Sequence, residues 1–182
     1  MSRPAVPDPT WWLADPGSWE LLAFDGGYDS EGIPYDTAWQ DRQAVLAMLM
    51  GRPGAGLGYG NFARYLLEQE IRFHRNAWGY SNRIGMAALL VAEQRRLEDV
   101  WLLWEAKAAS FDTYCGLPEV LLIGNGLART TSYVRDSDRP QRDRLLEYLG
   151  TLPPTVTDDV VAEKVTRLRQ RYREMGDTAP GD

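Results

Sequence analysis

The strongest constraint on the fold is an apolar run from Leu97 to Ala128, where aliphatic and aromatic residues are densest and few charges interrupt. Within it, Val100, Leu103 and Trp104 recur at helical spacing, and Trp101 and Ala108 form a second apolar stripe. A helix that is apolar on most sides is usually buried on most sides. The sequence therefore predicts a central buried helix over about 98–110, with the remaining elements packed around it.

Length and composition predict a single globular domain. The chain has 182 residues, 44% of them hydrophobic and 25% charged, which is enough to bury a sizeable core without disulfides. Cys115 is the only cysteine, which is typical of a reducing compartment. No apolar segment approaches the ~18 residues of a membrane span, so we expect no membrane association and a cytoplasmic location.

The negative charge is concentrated near the N-terminus. Residues 1–41 carry one arginine against eight carboxylates, a net charge of −7, whereas the formal charge of the whole chain is −6. Nucleic-acid binding requires a basic face that contacts phosphates. We therefore expect no nucleic-acid partner.

Turn signals and apolar periodicity predict an all-α fold of about seven helices. Residues 1–35, rich in Pro, Gly and Asp, predict an irregular, aromatic, acidic arm (hereafter the arm) with one short helix near 16–23. We favour an arm that packs on the core as a cover, and a binding lid or partner-docking segment is the alternative. Residues 36–175 predict the single helical domain, and 176–182 a disordered tail. Short connections favour antiparallel helix pairs stacked as in a helical-repeat array. The predicted helices are 36–50, 62–74, 81–96, 98–110, 118–135, 138–149 and 155–174.

One helical hairpin resembles the tetratricopeptide repeat. Its first helix carries Ile84, Ala87, Ala88 and Val91, and its second helix carries Val100, Trp104 and Lys107, where the family has small, aromatic and small residues. Lys107 departs from that pattern, and a shift by one repeat length reaches Pro118 and Leu122, which do not match. The resemblance covers about one repeat and implies a surface that binds peptides or partner proteins.

The segment Val120 to Ala128 has two readings. Its sequence, VLLIGNGLA, is similar to the first strand and glycine turn of a dinucleotide-binding fold, but Arg129 stands where the third glycine belongs. The residues that follow contain no second buried strand pattern. We therefore favour a helix in which Gly124 and Gly126 allow close approach of a neighbour, with local instability or a kink there.

The sequence contains no group of residues that predicts a metal or cofactor. His74 is the only histidine, so a multi-histidine metal site is excluded, and no His/Cys cluster completes a site with Cys115. Glu70, one turn before His74, could orient it as a general base. The same pair is also an ordinary contact on the surface of a helix.

Lys107 is the most unusual charged residue because it interrupts the apolar central helix. If it is buried, it requires a carboxylate partner such as Asp112 or a residue of the arm. A lysine with a lowered pKa could act as a nucleophile, but a lysine that fixes the helix-to-turn geometry is favoured. The candidate binding residues here are Trp101, Trp104, Lys107, Asp112 and Tyr114.

Arg167 and Arg171 complete the candidate binding residues. With Lys164 they form a basic stripe on the last helix that could face solvent or dock acidic groups, including the arm of the same chain. Nearby carboxylates argue against a nucleic-acid surface.

The absence of a complete catalytic group, and a surplus of Trp, Tyr and Arg, favour a non-catalytic protein-interaction module. An inhibitor, immunity-type protein or adaptor that binds a partner protein is a specific form of this class. The alternative is an enzyme or small-molecule binder with an aromatic pocket around Trp101, Trp104, Lys107 and Asp112, joined there by His74. The sequence is also compatible with a homo-oligomer.

Overall fold

The computed structural model describes residues 8–28, 30–31, 34–52, 59–153 and 155–177, and over these residues the fold is all-α, as predicted. Short 3-10 helices lie at Pro16–Leu22, Leu97–Asp99 and Glu119–Leu121. Arrangement of the helices as a repeat array stays a prediction. The α-helices described are α1 (Pro9–Ala14), α2 (Trp39–Met50), α3 (Gly60–His74), α4 (Asn82–Ala92), α5 (Val100–Lys107), α6 (Phe111–Gly116), α7 (Leu127–Arg135), α8 (Arg142–Gly150) and α9 (Asp158–Asp177).

The centre of the fold is α4, not the later apolar helix that the sequence predicts. All residues of α4 after Asn82 are buried, and the helix contacts α2, α3, α5 and α9. The Ser81 hydroxyl accepts a hydrogen bond from the Arg83 N–H at its start, as expected for an N-cap. By contrast, Trp101 and Leu102 of α5 are half-buried. The apolar composition of α5 predicts burial, but α5 packs at the side of α4.

Gly85 allows α9 to cross α4 closely. A Cβ atom at Gly85 would overlap the hydroxyl of Tyr172, a buried residue of α9. The Tyr80 hydroxyl lies 3.3 Å from the Tyr172 hydroxyl. A larger residue here would displace the hydroxyl ends of Tyr172 and Tyr80, so glycine provides the space for this crossing.

The arm is anchored by aromatic residues. The rings of Trp12 and Phe62 are stacked with centroids 6.2 Å apart, and Trp19 contacts both Phe62 and Tyr65. The Tyr65 hydroxyl donates a hydrogen bond to the Trp19 carbonyl at 2.8 Å. The 3-10 helix lies close to the predicted 16–23, whereas α1 and a two-stranded antiparallel ladder, β1 (Gly27–Tyr28) and β2 (Pro34–Tyr35), are not predicted.

The predicted helix over 118–135 is wrong in its first half. Residues 119–121 form a 3-10 helix, 122–125 form turns, and α7 begins only at Leu127. Gly126 has a φ of 89°, which a residue with a Cβ rarely adopts, so the α-helix cannot continue through it. The dinucleotide-fold reading is also wrong, because this segment contains no strand. We call residues 122–126 the glycine turn.

The last helix, α9, extends to Asp177 and thus into the predicted tail, while residues 178–182 lie outside the described part of the chain. Arg169 of α9 donates hydrogen bonds to both carboxylate oxygens of Glu93, at 2.7 and 2.8 Å, and to the Met50 carbonyl at 2.9 Å. These contacts join α9 to the C-terminal ends of α2 and α4. The bond to Met50 occupies a backbone carbonyl that the end of a helix otherwise leaves without an internal donor.

Candidate functional site

Lys107, the centre of the predicted aromatic site, is buried, with 3% of its surface exposed. Its ammonium group donates hydrogen bonds of 2.7 Å to the backbone carbonyls of Tyr114 and Leu117. These carbonyls belong to the C-terminal end of α6, where backbone acceptors lack helical donors and a cation is favoured. Lys107 therefore holds α6 against α5.

Aromatic rings complete the surroundings of the ammonium group. The Lys107 Nζ atom lies 5.4 Å from the ring centroid of Tyr114 and 5.3 Å from that of Tyr148, within the range of cation–π attraction. The Trp104 ring lies 5.3 Å from Tyr148 and 6.4 Å from Tyr114. Tyr148 comes from α8, and its spacing in the sequence carries no signal that would place it here.

The predicted carboxylate partner of Lys107 is wrong. Asp112 instead accepts a hydrogen bond from the Gly79 N–H at 2.8 Å. Burial lowers the pKa of Lys107, and the nearby Glu119 and Cys115 oppose that shift only in part. Neutral carbonyl oxygens and ring faces therefore stabilise the charged lysine. Because two of its hydrogen bonds fix α6, the ammonium group is part of the structure and is not presented to a substrate.

The remaining predicted site residues are scattered. Trp104 belongs to the buried cluster, but Trp101 is half-buried on α5 and packs against the hydrophobic core. Arg167 and Arg171 border a groove of about 250 Å³ between α9 and the segment after Pro118. The acidity of the arm suggests docking on this basic stripe. In the described part of the arm, however, the two helices pack on α2 and α3. The structure therefore brings together only Trp104, Lys107 and Tyr114.

A buried ionic cluster, consisting of Asp36, Arg42, Glu70 and Arg83, lies between the arm and the core. The Glu70 carboxylate accepts hydrogen bonds from Arg42 Nε at 2.8 Å and from Arg83 Nε at 3.1 Å. Arg42 also pairs with Asp36 and donates to the Leu22 carbonyl at 3.1 Å. Burial alone would lower the pKa of the Arg42 guanidinium, but Glu70 and Asp36 raise it above its ordinary value. The cluster fixes the end of the arm.

His74 is buried next to this cluster rather than on a helix surface. Its Nδ1 atom lies 2.7 Å from the Glu70 backbone carbonyl, and its Nε2 atom lies 3.1 Å from the Ser81 N–H. The carbonyl can only accept and the N–H can only donate, so the ring is neutral with its proton on Nδ1. Burial lowers the pKa of His74. Both nitrogens are occupied, which leaves no position for general base catalysis.

An exposed aromatic surface adjoins the Lys107 cluster, which consists of Trp104, Lys107, Tyr114 and Tyr148. The sequence-based predictions included only Tyr114 of this surface. We call it the aromatic edge; it consists of Trp78, Phe111 and Tyr114, whose exposed fractions are 98%, 81% and 39%. Trp78 and Phe111 directly adjoin Gly79 and Asp112, the two residues joined by the hydrogen bond described above. Aromatic side chains this exposed are characteristic of interaction sites. Their signal in the sequence is weak because Trp78 lies in a connection between helices.

Within the described residues, no group of three or more His, Cys, Asp or Glu side chains is arranged to hold a metal ion. None of the helices that the structure describes is both long and apolar enough to cross a membrane. Comparison of the chain with protein-family models, curated proteins and solved structures gives no match in any of the three.

Proposed function

We propose that this chain is a non-catalytic protein-interaction module that binds a partner protein, as an adaptor or inhibitor does, through the aromatic edge. The observation that carries the proposal is the exposure of Trp78 and Phe111, at 98% and 81%. Trp and other aromatic residues supply a large contact area and are enriched among the residues that dominate binding energies. Exposed apolar surface of this kind is a cost in the free protein that binding removes.

The support beneath the aromatic edge is well fixed. Besides the Gly79 to Asp112 hydrogen bond, Tyr80 packs so closely on Gly116 that a Cβ there would lie 2.7 Å from the Tyr80 ring. Ser110 and Thr113 form reciprocal side-chain to backbone hydrogen bonds at the start of α6. An edge held in place before binding loses little conformational entropy on association.

The competing function, an enzyme or ligand-binding pocket centred on Lys107, has less support. The lysine makes two short hydrogen bonds to backbone carbonyls and lies against two rings. Asp112, the carboxylate expected to pair with Lys107, accepts a hydrogen bond from the Gly79 N–H instead. A nucleophilic lysine needs an accessible lone pair, which this arrangement does not provide.

The test is quantitative affinity capture from a lysate of the source, with the wild type compared against a Trp78→Ala, Phe111→Ala double variant. We expect a protein retained in stoichiometric amounts by the wild type to be lost by the variant, since each aromatic anchor contributes on the order of 2 kcal/mol, or roughly thirtyfold in affinity. Leu21→Ala is the matched control, because Leu21 is 66% exposed and lies on the arm.

The outcomes separate the alternatives. Loss of the same protein in the Leu21→Ala control would show general surface adhesion and contradict the proposal. Retention of the partner by the double variant would place the contact elsewhere and also contradict it. A metabolite captured in place of any protein would favour the ligand-binding alternative. If the purified wild type sediments as a dimer, the partner is a second copy of the chain.

A further inference from the structure

A cavity of about 710 Å³ lies where the end of α4, the glycine turn and the first turns of α9 meet. Its volume is within the range of small-molecule sites. It is separate from the aromatic edge and shares no residue with the Lys107 cluster. The polar residues that line it and enter the argument are Arg95, Asn125, Arg129, Asp158 and Asp159.

Four of these lining residues carry a charge. Arg95 follows α4, Arg129 lies in the first turn of α7, and Asp158 and Asp159 begin α9. None of the four forms an ion pair with another residue in the described part of the chain. A further lining carboxylate, Glu93, is already neutralised by both of its bonds to Arg169.

Two backbone features, at Arg95 and Gly126, shape this cavity. Arg95, two residues after the C-cap Glu93, has a φ of 51°, in the left-handed region that favours glycine. Gly126 has no Cβ, and one built there would overlap the Asp158 carboxylate. A positive φ is unfavourable for arginine, so Arg95 stands at the edge of the cavity at a cost in stability.

We propose that the cavity binds a small zwitterion of amino-acid or short-peptide size. Its anionic group would pair with Arg95 and Arg129, and its ammonium group with Asp158 and Asp159. Two cations and two anions that form no ion pair within the described residues line the same space, so a ligand carrying both charges is complementary to it. A purely anionic or purely cationic ligand would leave one of the two charged pairs without a partner. This proposal is independent of the aromatic edge.

The probe is a ladder of glycine, diglycine, triglycine and tetraglycine, in which the distance between ammonium and carboxylate increases stepwise. Binding is followed in ¹⁵N-labelled protein through the backbone amide signals of Gly124, Asn125 and Gly126, which lie at the cavity. We expect one length to bind best. We expect its N-acetylated form, which is only an anion, and its C-terminal amide, which is only a cation, each to bind at least tenfold more weakly.

Variants assign the binding to the four charges. We expect Arg129→Ala and Asp159→Asn each to weaken binding of the best peptide at least tenfold, and Arg173→Ala, an exposed arginine further along α9, to leave it unchanged. Arg95→Gly is the sharpest variant because it removes the charge and relieves the positive φ. It should raise the unfolding temperature by a few degrees while abolishing binding.

Three results would overturn the proposal. The first is the absence of amide shifts at the cavity with every member of the ladder at millimolar concentration. The second is equal binding of a charge-blocked form, which would show that only one charge is recognised. The third is an Arg95→Gly protein that is folded and still binds the peptide as the wild type does.

Discussion

The ionic cluster contains two arginines and two carboxylates, and the cavity has two arginines and, besides Glu93, two carboxylates, but the two sites differ in how these charges are partnered. In the ionic cluster all four residues are buried, and each ionised group bonds to at least one opposite charge. At the cavity Arg95, Arg129, Asp158 and Asp159 are exposed, and within the described residues none of them forms an ion pair. Removal of a charge from water is costly unless a partner replaces the water, so the buried set is fixed by the fold. The exposed set stays available to a ligand.

The largest expected effect comes from Glu70→Gln. Glu70 bonds to both Arg42 and Arg83, so its neutralisation leaves two cations with a single buried carboxylate, Asp36. We expect the free energy of unfolding to fall by about 3–5 kcal/mol, as measured by urea denaturation.

Asp159→Asn is the matched control, because it makes the same carboxylate-to-amide change at the cavity. We expect it to alter stability by no more than about 0.5 kcal/mol. Equal losses in the two variants would contradict the distinction between the two sets of charges.

Lys107→Met should reduce stability by a smaller amount. It tests a buried cation whose hydrogen-bond acceptors are neutral carbonyl oxygens. The change keeps much of the side-chain volume but leaves the Tyr114 and Leu117 carbonyls without a donor. We expect a loss of about 1–3 kcal/mol in urea denaturation, less than for Glu70→Gln, because no charge is left unpaired. Capture of the partner protein should survive, whereas its loss in a folded Lys107→Met protein would favour the ligand-binding alternative.

The smallest effect is the pH dependence that His74 confers. Burial lowers its pKa from the ordinary value of 6.5, so as the pH falls the unfolded chain binds a proton before the folded chain does. Stability contributed by the neutral ring is therefore complete above about pH 6.5 and declines as the pH falls towards the lowered pKa.

Because the chain has one histidine, its ring proton signal in an NMR titration reports this pKa directly. A pKa at or above 6.5 in the folded protein would contradict both the neutral state and the hydrogen bond from Ser81. A His74→Gln variant should lose the decline in stability just below pH 6.5.

Sequence periodicity predicted much of the fold, and its errors have physical causes. Helices α2, α3, α4 and α9 were located within a few residues because their apolar positions recur at helical spacing. The segment from Pro118 to Ala128 was misread because apolar residues in a buried turn look the same as those in a helix. The positive φ at Gly126 marks the turn in the structure. Because glycine adopts either sign of φ, its presence in the sequence does not distinguish a turn from a helix.

The candidate sites were predicted less well than the fold. Trp104, Lys107 and Tyr114 lie within eleven consecutive residues, so their proximity follows from local structure. Tyr148 joins them from α8, and Arg42 meets Glu70 from another helix, through contacts that no spacing in the sequence encodes. The exposure of Trp78 was equally hidden, since an aromatic residue in a connection is compatible with either burial or exposure.

The sequence by itself determined the all-α class and the approximate positions of most helices. These features depend on local periodicity and on the properties of single residues. Only the tertiary structure decided which charges are paired, because residues distant in the sequence must meet before water leaves them. The same packing placed Asp36, Arg42, Glu70 and Arg83 inside the molecule and left Arg95, Arg129, Asp158 and Asp159 around a cavity.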